Sequence, residues 1–212
     1  LLEERQEELK DRHAFLQLEY EKEKEHRTIT EQNRLYDLLQ EKTQSQLDQI
    51  NRLASRYPKE RENEEKQRIL ATIIVLGSFI KREKDFVLSM DQAQGLPEEQ
   101  LKSALAESFR ALKFVDIRGG YFIQTKTGKI HSEQMTKSFE FFECIVERSL
   151  FKAHFINFRI GETKGVLRCS IMTDAGDAHA QEIQKQYPKV IVTRPEDGGI
   201  EYLLPLEQPT EE

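Results

Sequence analysis

The chain has 212 residues, enough for one or two domains with buried cores. Charged residues make up 33% and hydrophobic ones only 37%, a balance that suits a long solvated helix joined to a smaller globular part. The formal net charge of -6, with no basic cluster interleaved with aromatics, argues against nucleic acid as a partner, and two cysteines cannot form a zinc site alone and do not suggest a disulfide scaffold.

From Leu1 to Arg56 there is no proline or glycine. Apolar residues recur at Leu2, Leu9, Leu16 and Tyr20, then at Leu35, Leu39, Leu47, Ile50 and Leu53, at spacings that mark one stripe of a helix. The stripe thins between Tyr20 and Leu35, where Ile29 is the strongly apolar residue, so a coiled coil is imperfect there. Such a helix reaches roughly 84 Å at 1.5 Å per residue and cannot bury its own stripe; a second copy of the chain is the simplest partner. Pro58 in "SRYPKE" ends it by forcing Tyr57 out of helical geometry.

A second helix is predicted from about Lys59 to Met90. Its stretch "ILATIIVLGSFI", Ile69 to Ile80, is apolar on nearly every face and too short to cross a bilayer. Two antiparallel helices of this kind describe half of a dimeric four-helix bundle, with the Ile69 to Ile80 face at its seam. "DQAQGLPEE" reads as a linker, and Pro97 followed by Glu98 and Glu99 opens the next helix.

Beyond it the period changes. "FVDIRGGYFIQT" reads as a hairpin around Gly119 and Gly120. A helix is predicted from Ser132 to Phe151, a second hairpin turns near Gly161 to Gly165, a short helix covers Ala178 to Tyr187, and a third hairpin passes through Asp197, Gly198 and Gly199. Three helices over one sheet make a two-layer α/β sandwich, so the fold class expected is α+β. Cys144 and Cys169 sit in apolar surroundings and read as reduced core thiols.

At Arg34 to Leu47, "RLYDLLQEKTQSQL", the long helix resembles the phosphoacceptor helix of a sensor histidine kinase, with Tyr36 where that family has histidine and Asp37 beside it. With this, the whole chain resembles the cytoplasmic part of such a kinase. Residues 1–30 match a signalling coiled coil, 31–91 a dimerisation and phosphotransfer hairpin, and 97–208 an ATP-binding sandwich of the GHKL superfamily. The resemblance implies an N-box on the long sandwich helix; "FFECI" keeps Glu143 but has Cys144 in place of the magnesium-binding asparagine, and a soft thiol is a poor magnesium ligand. It also implies a D-x-G-x-G motif; "TDAGDAHAQEI" offers Asp174 and Gly176, but Ala178 stands at the second glycine and no glycine-rich lid follows.

A tyrosine hydroxyl, with a reference pKa of about 10, does not replace the nucleophilic imidazole of a phosphoacceptor. Tyr36 therefore reads as a surface side chain, Glu143 as a solvated helix residue, and Asp174 and Asp177 as turn and N-cap residues. None of His13, His26, His131, His154 and His179 carries the acidic neighbour and apolar spacing of a phosphoacceptor. The expectation is a degenerate, pseudokinase-like signalling protein of two-component type, a homodimer without cofactor or metal, acting as a conformational relay. A phosphotransferase or adaptor that docks a response regulator is the alternative, and an active kinase with divergent motifs a third. The first residues, "LLEERQEELK", show neither a methionine nor a signal peptide, which fits a cytoplasmic segment with a membrane or sensory domain upstream.

Overall fold

The structure is a computed structural model describing residues 2–88, 95–163, 165–196 and 198–207; before Phe15, only the side chains of Arg12 and His13 are included. Met90, residues 91–94 of the expected linker, Asp197 and the side chains of Leu2 and Leu9 thus lie outside the described residues. The chain divides into two compact units, Leu1–Lys42 and Thr43–Glu212.

The first unit is helical, the beginning of helix α1 (Leu2–Arg56). Proline and glycine are absent, and Arg27–Glu23 and Arg34–Glu31 ion pairs, each at 2.5 Å, support successive turns. In the thin part of the stripe, Thr28 and Thr30 donate their hydroxyls to the carbonyls of Lys24 (2.9 Å) and His26 (2.8 Å). Such back-bonding competes with the helical ladder. Leu16, Tyr20 and Ile29 are exposed, and so are Phe15 and Leu18, which the heptad reading passes over.

In the second unit α1 ends at Arg56, but Tyr57 is not forced out of helical geometry: Tyr57–Lys59 form a 3-10 turn that includes Pro58. Helix α2 (Asn63–Leu88) starts later than the sequence indicates, with Glu64 and Glu65 in its first turn. Leu96–Pro97 form a short strand β1, followed at once by α3 (Glu98–Leu112). Then come a 3-10 turn at Lys113–Val115, β2 (Arg118–Ile123), β3 (Lys129–Ile130), α4 (Ser132–Ser149), β4 (Phe155–Thr163), β5 (Val166–Thr173), α5 (Ala180–Gln186), β6 (Ile191–Thr193) and β7 (Ile200–Leu206). The protein is α+β, with a mixed sheet in the order β2-β4-β5-β7-β6 and a separate β1–β3 ribbon.

The first expected hairpin is not one. Gly119 and Gly120 lie inside the single strand β2, which runs parallel to β4 with Gly119 opposite Ile156. Gly119 has φ 144°, and a β-carbon there would stand 1.7 Å from the Ile156 carbonyl oxygen. The glycine serves close backbone approach, not a turn. Its strand reaches β4 through a crossover containing α4, as parallel pairing demands. The other two hairpins form, β4 with β5 and β6 with β7, although Gly161 belongs to the strand.

One face of the sheet is covered. Ile156, Phe158 and Ile160 on β4, Cys169 and Ile171 on β5, and Tyr202, Leu204 and Leu206 on β7 are buried, whereas Asn157 and Arg159 between them are exposed. Phe142 of α4 meets Phe158 edge-on at 5.8 Å. On the other side of α4, Phe79 of α2 meets Phe139 and Phe142, both at 6.2 Å, and Phe86 meets Phe139 at 5.1 Å. Arg82 of α2 pairs with Glu107 of α3. Ile50 and Leu53, in the last turns of α1, pack against the same core.

Val75, Leu76 and Phe79, on the face expected at the bundle seam, are buried in one core with α3 and α4 of their own chain. Leu70 and Ile74, the latter 43% accessible, remain exposed on the opposite side of α2. No helix among the described residues is long and apolar enough to cross a membrane.

Candidate functional site

Tyr36 and Asp37 are exposed on α1, with Tyr36 69% accessible. The resemblance places a phosphoacceptor there; the structure presents a phenol to solvent.

Glu143 and Cys144 lie where α4 is enclosed nearly all round, because residues 141–146 are all buried. Glu143 is only 4% accessible, which corrects its reading as a solvated residue. Sequence periodicity assigns one buried stripe to a helix, but α4 is gripped by α2 on one side and the sheet on the other. The Cys144 thiol accepts a hydrogen bond from Arg148 Nη1 (2.9 Å) and lies 3.5 Å from Gln186 Oε1. Burial pushes this thiol up to about 11, against the opposing pull of Arg148, so it is neutral at physiological pH. One turn on, burial also raises the Glu147 carboxyl, although Gln46 Nε2 donates to it at 3.1 Å.

Asp174 closes the end of β5 onto the start of β4. Its Oδ1 accepts from the backbone N–H groups of His154 (2.8 Å) and Phe155 (3.1 Å), and its Oδ2 lies 3.2 Å from His154 Nδ1. Partial burial works to raise this carboxyl; the bonds from Phe155 and His154 together outweigh it and hold it below the usual range. Gly176, with φ 77°, turns the chain towards α5. Asp177 pairs with Arg194 at 2.9 Å, a role other than the N-cap expected of it. Residues 174–179 alone separate β5 from α5, so no long loop stands beside Asp174.

Around the start of α5, Lys152 Nζ lies 2.6 Å from His179 Nε2, and His179 Nδ1 lies 3.3 Å from Glu182. Among the described residues no group of three or more His, Cys, Asp or Glu could hold a metal ion.

A cavity of about 340 Å³ opens elsewhere in this unit, lined by residues that include Glu64, Arg68, Phe114, Asp116, Phe151 and His154. None of Glu143, Cys144, Asp174 and Gly176 lines it. Of the lining residues only His154 is weighed from the sequence, as a phosphoacceptor, and Phe151 enters only as a helix end. A usable signal was present in "ERSLFKAH", where a helix ends without the glycine that commonly closes one.

No family model and no curated protein matches the chain. Among solved structures it is similar to the blue-light activated histidine kinase of Erythrobacter litoralis EL346, with 16% identity over 77% of this chain and 63% of that one and a TM-score of 0.43. The chain thus spans under two thirds of that kinase. It is also similar to a bacterial phosphotransferase (9% identity, 80% and 92% of the two chains, TM-score 0.38) and to the histidine kinase AdeS of Acinetobacter baumannii (6% identity, 78% and 97%, TM-score 0.38).

Proposed function

We propose that the chain is a histidine-kinase-like signal-transduction protein that acts as a dimeric conformational relay or scaffold, without phosphotransfer chemistry. The observation that carries this reading is the engagement of Asp174. The carboxylate that would read a base instead joins two strands through His154 and Phe155. The buried neutral thiol of Cys144, the short 174–179 connection and the solvent-facing phenol of Tyr36 support it. Magnesium prefers hard oxygen ligands, and closure over phosphates needs a long loop. Calorimetric titration of the whole chain with Mg-ATP to about 1 mM is expected to give no binding heat. A micromolar dissociation constant overturns the proposal and restores Asp174 and Glu143 as site residues.

The relay part rests on α1. Exposed apolar residues such as Leu16, Tyr20 and Ile29 call for a second copy, and the polar stretch between Tyr20 and Leu35 provides no deep seam to hold one register. An input to that helix then selects between packings of similar energy. Replacing Lys24, Arg27 and Glu31 together by leucine extends the seam and locks one arrangement. Loss of signal dependence in cells with the dimer intact is expected; an unchanged response makes the helix a spacer.

A further inference from the structure

Phe151 and Asp116 are the two non-glycine residues with positive φ among the described residues, at 59° and 58°, and both line the cavity of about 340 Å³. Each sits just past a helical end. Lys152 and Ala153 donate back to the Ser149 carbonyl around Phe151, and Ile117 donates to Leu112 around Asp116. This is the position where glycine is favoured because a β-carbon is strained there. Aspartate adopts it at little cost, phenylalanine at a larger one. Core burial does not explain the choice, because Phe151 is 46% accessible and Phe114, also in the cavity lining, is 63% accessible. Backbone strain of this kind clusters at ligand sites and switch regions.

The charges select the ligand. Arg68 is paired with Glu64 at 3.1 Å and His154 with Asp174 at 3.2 Å. The Asp116 carboxylate makes no ion pair with any described residue, so the charge left over in the cavity is negative. The ring of Phe151 already holds a guanidinium, that of Arg68, at 5.6 Å from its centroid. We propose that this cavity binds a small planar cation of the guanidinium or amidinium class, its face on the Phe114 and Phe151 rings and its N–H groups on Asp116. The volume suits a small molecule.

The test uses the full chain and calorimetry with benzamidine, its neutral isostere benzamide and the anion benzoate. Benzamidine is expected to bind with a dissociation constant below about 1 mM, and the other two at least about tenfold more weakly. Asp116→Asn, which also tolerates left-handed backbone, should weaken benzamidine about tenfold without changing the unfolding midpoint. Phe151→Gly should weaken binding while leaving the midpoint unchanged or raising it, because the strain is removed. Acetylated arginine methylamide distinguishes the source of the cation: tighter binding than benzamidine points to an arginine of a partner protein, weaker binding to a free small molecule. Equal binding of all three benzene probes, no binding of benzamidine, or a lowered midpoint in Phe151→Gly overturns the proposal.

Discussion

Phe79→Ala tests whether α2 belongs to the sandwich or to a bundle between chains. Phe79 is fully buried and meets Phe139 and Phe142 edge-on at 6.2 Å. Truncating such a ring removes its transfer free energy and leaves a cavity between helices that cannot collapse without moving α4. The expected loss is about 3–5 kcal/mol, a large share of the 5–15 kcal/mol typical of a domain. The chain has no tryptophan, so urea unfolding followed by tyrosine fluorescence is the suitable assay, with buried Tyr202 reporting on the sheet. Ile74→Asp is the matched contrast. At 43% accessible, Ile74 lies outside the protomer core, so the charge should change unfolding by less than about 1 kcal/mol while weakening any dimer that uses this face, as light scattering would read. The reasoning is refuted if Phe79→Ala leaves the unfolding free energy within about 1 kcal/mol of the parent and instead dissociates a dimer.

Asp174→Asn probes the strand clasp by pH. Its carboxyl is held below the unfolded value of about 3.9, so it contributes stability above that pH that is lost as pH falls through the folded pKa. The asparagine variant should be less stable at pH 7 and show a shallower acid limb in fluorescence-detected unfolding; an unchanged limb rejects this role. Gly119→Ala places a β-carbon against the Ile156 carbonyl and should cost more than about 4 kcal/mol, or prevent folding, by the same urea assay. Cys144, raised to about 11, and Cys169, raised further by complete burial, should resist a thiol reagent at pH 8 until urea unfolds the chain. Rapid labelling of either in the native protein contradicts the described core.

Local chemistry in the sequence determined the elements with one dominant signal. The proline-free run to Arg56, the stop at Pro58, the helix after Pro97 and the last two hairpins follow from propensity, patterning and turn residues, and these act within a few residues of the chain. The positions of Asp174 and Gly176 at a turn were legible for the same reason. What only the tertiary structure decided depends on which distant surfaces meet. The Gly119-Gly120 pair is equally suited to a turn and to close backbone approach, and the parallel partner β4 chose the second. The apolar face of Ile69–Ile80 shows that something covers α2 but not whether it is another copy or the chain's own α3 and α4. Glu143 looked solvated because a helical period cannot report burial from two sides at once. The Phe114 and Phe151 cavity gathers residues from α2, the turn after α3 and the end of α4, a juxtaposition that exists only once those elements have packed.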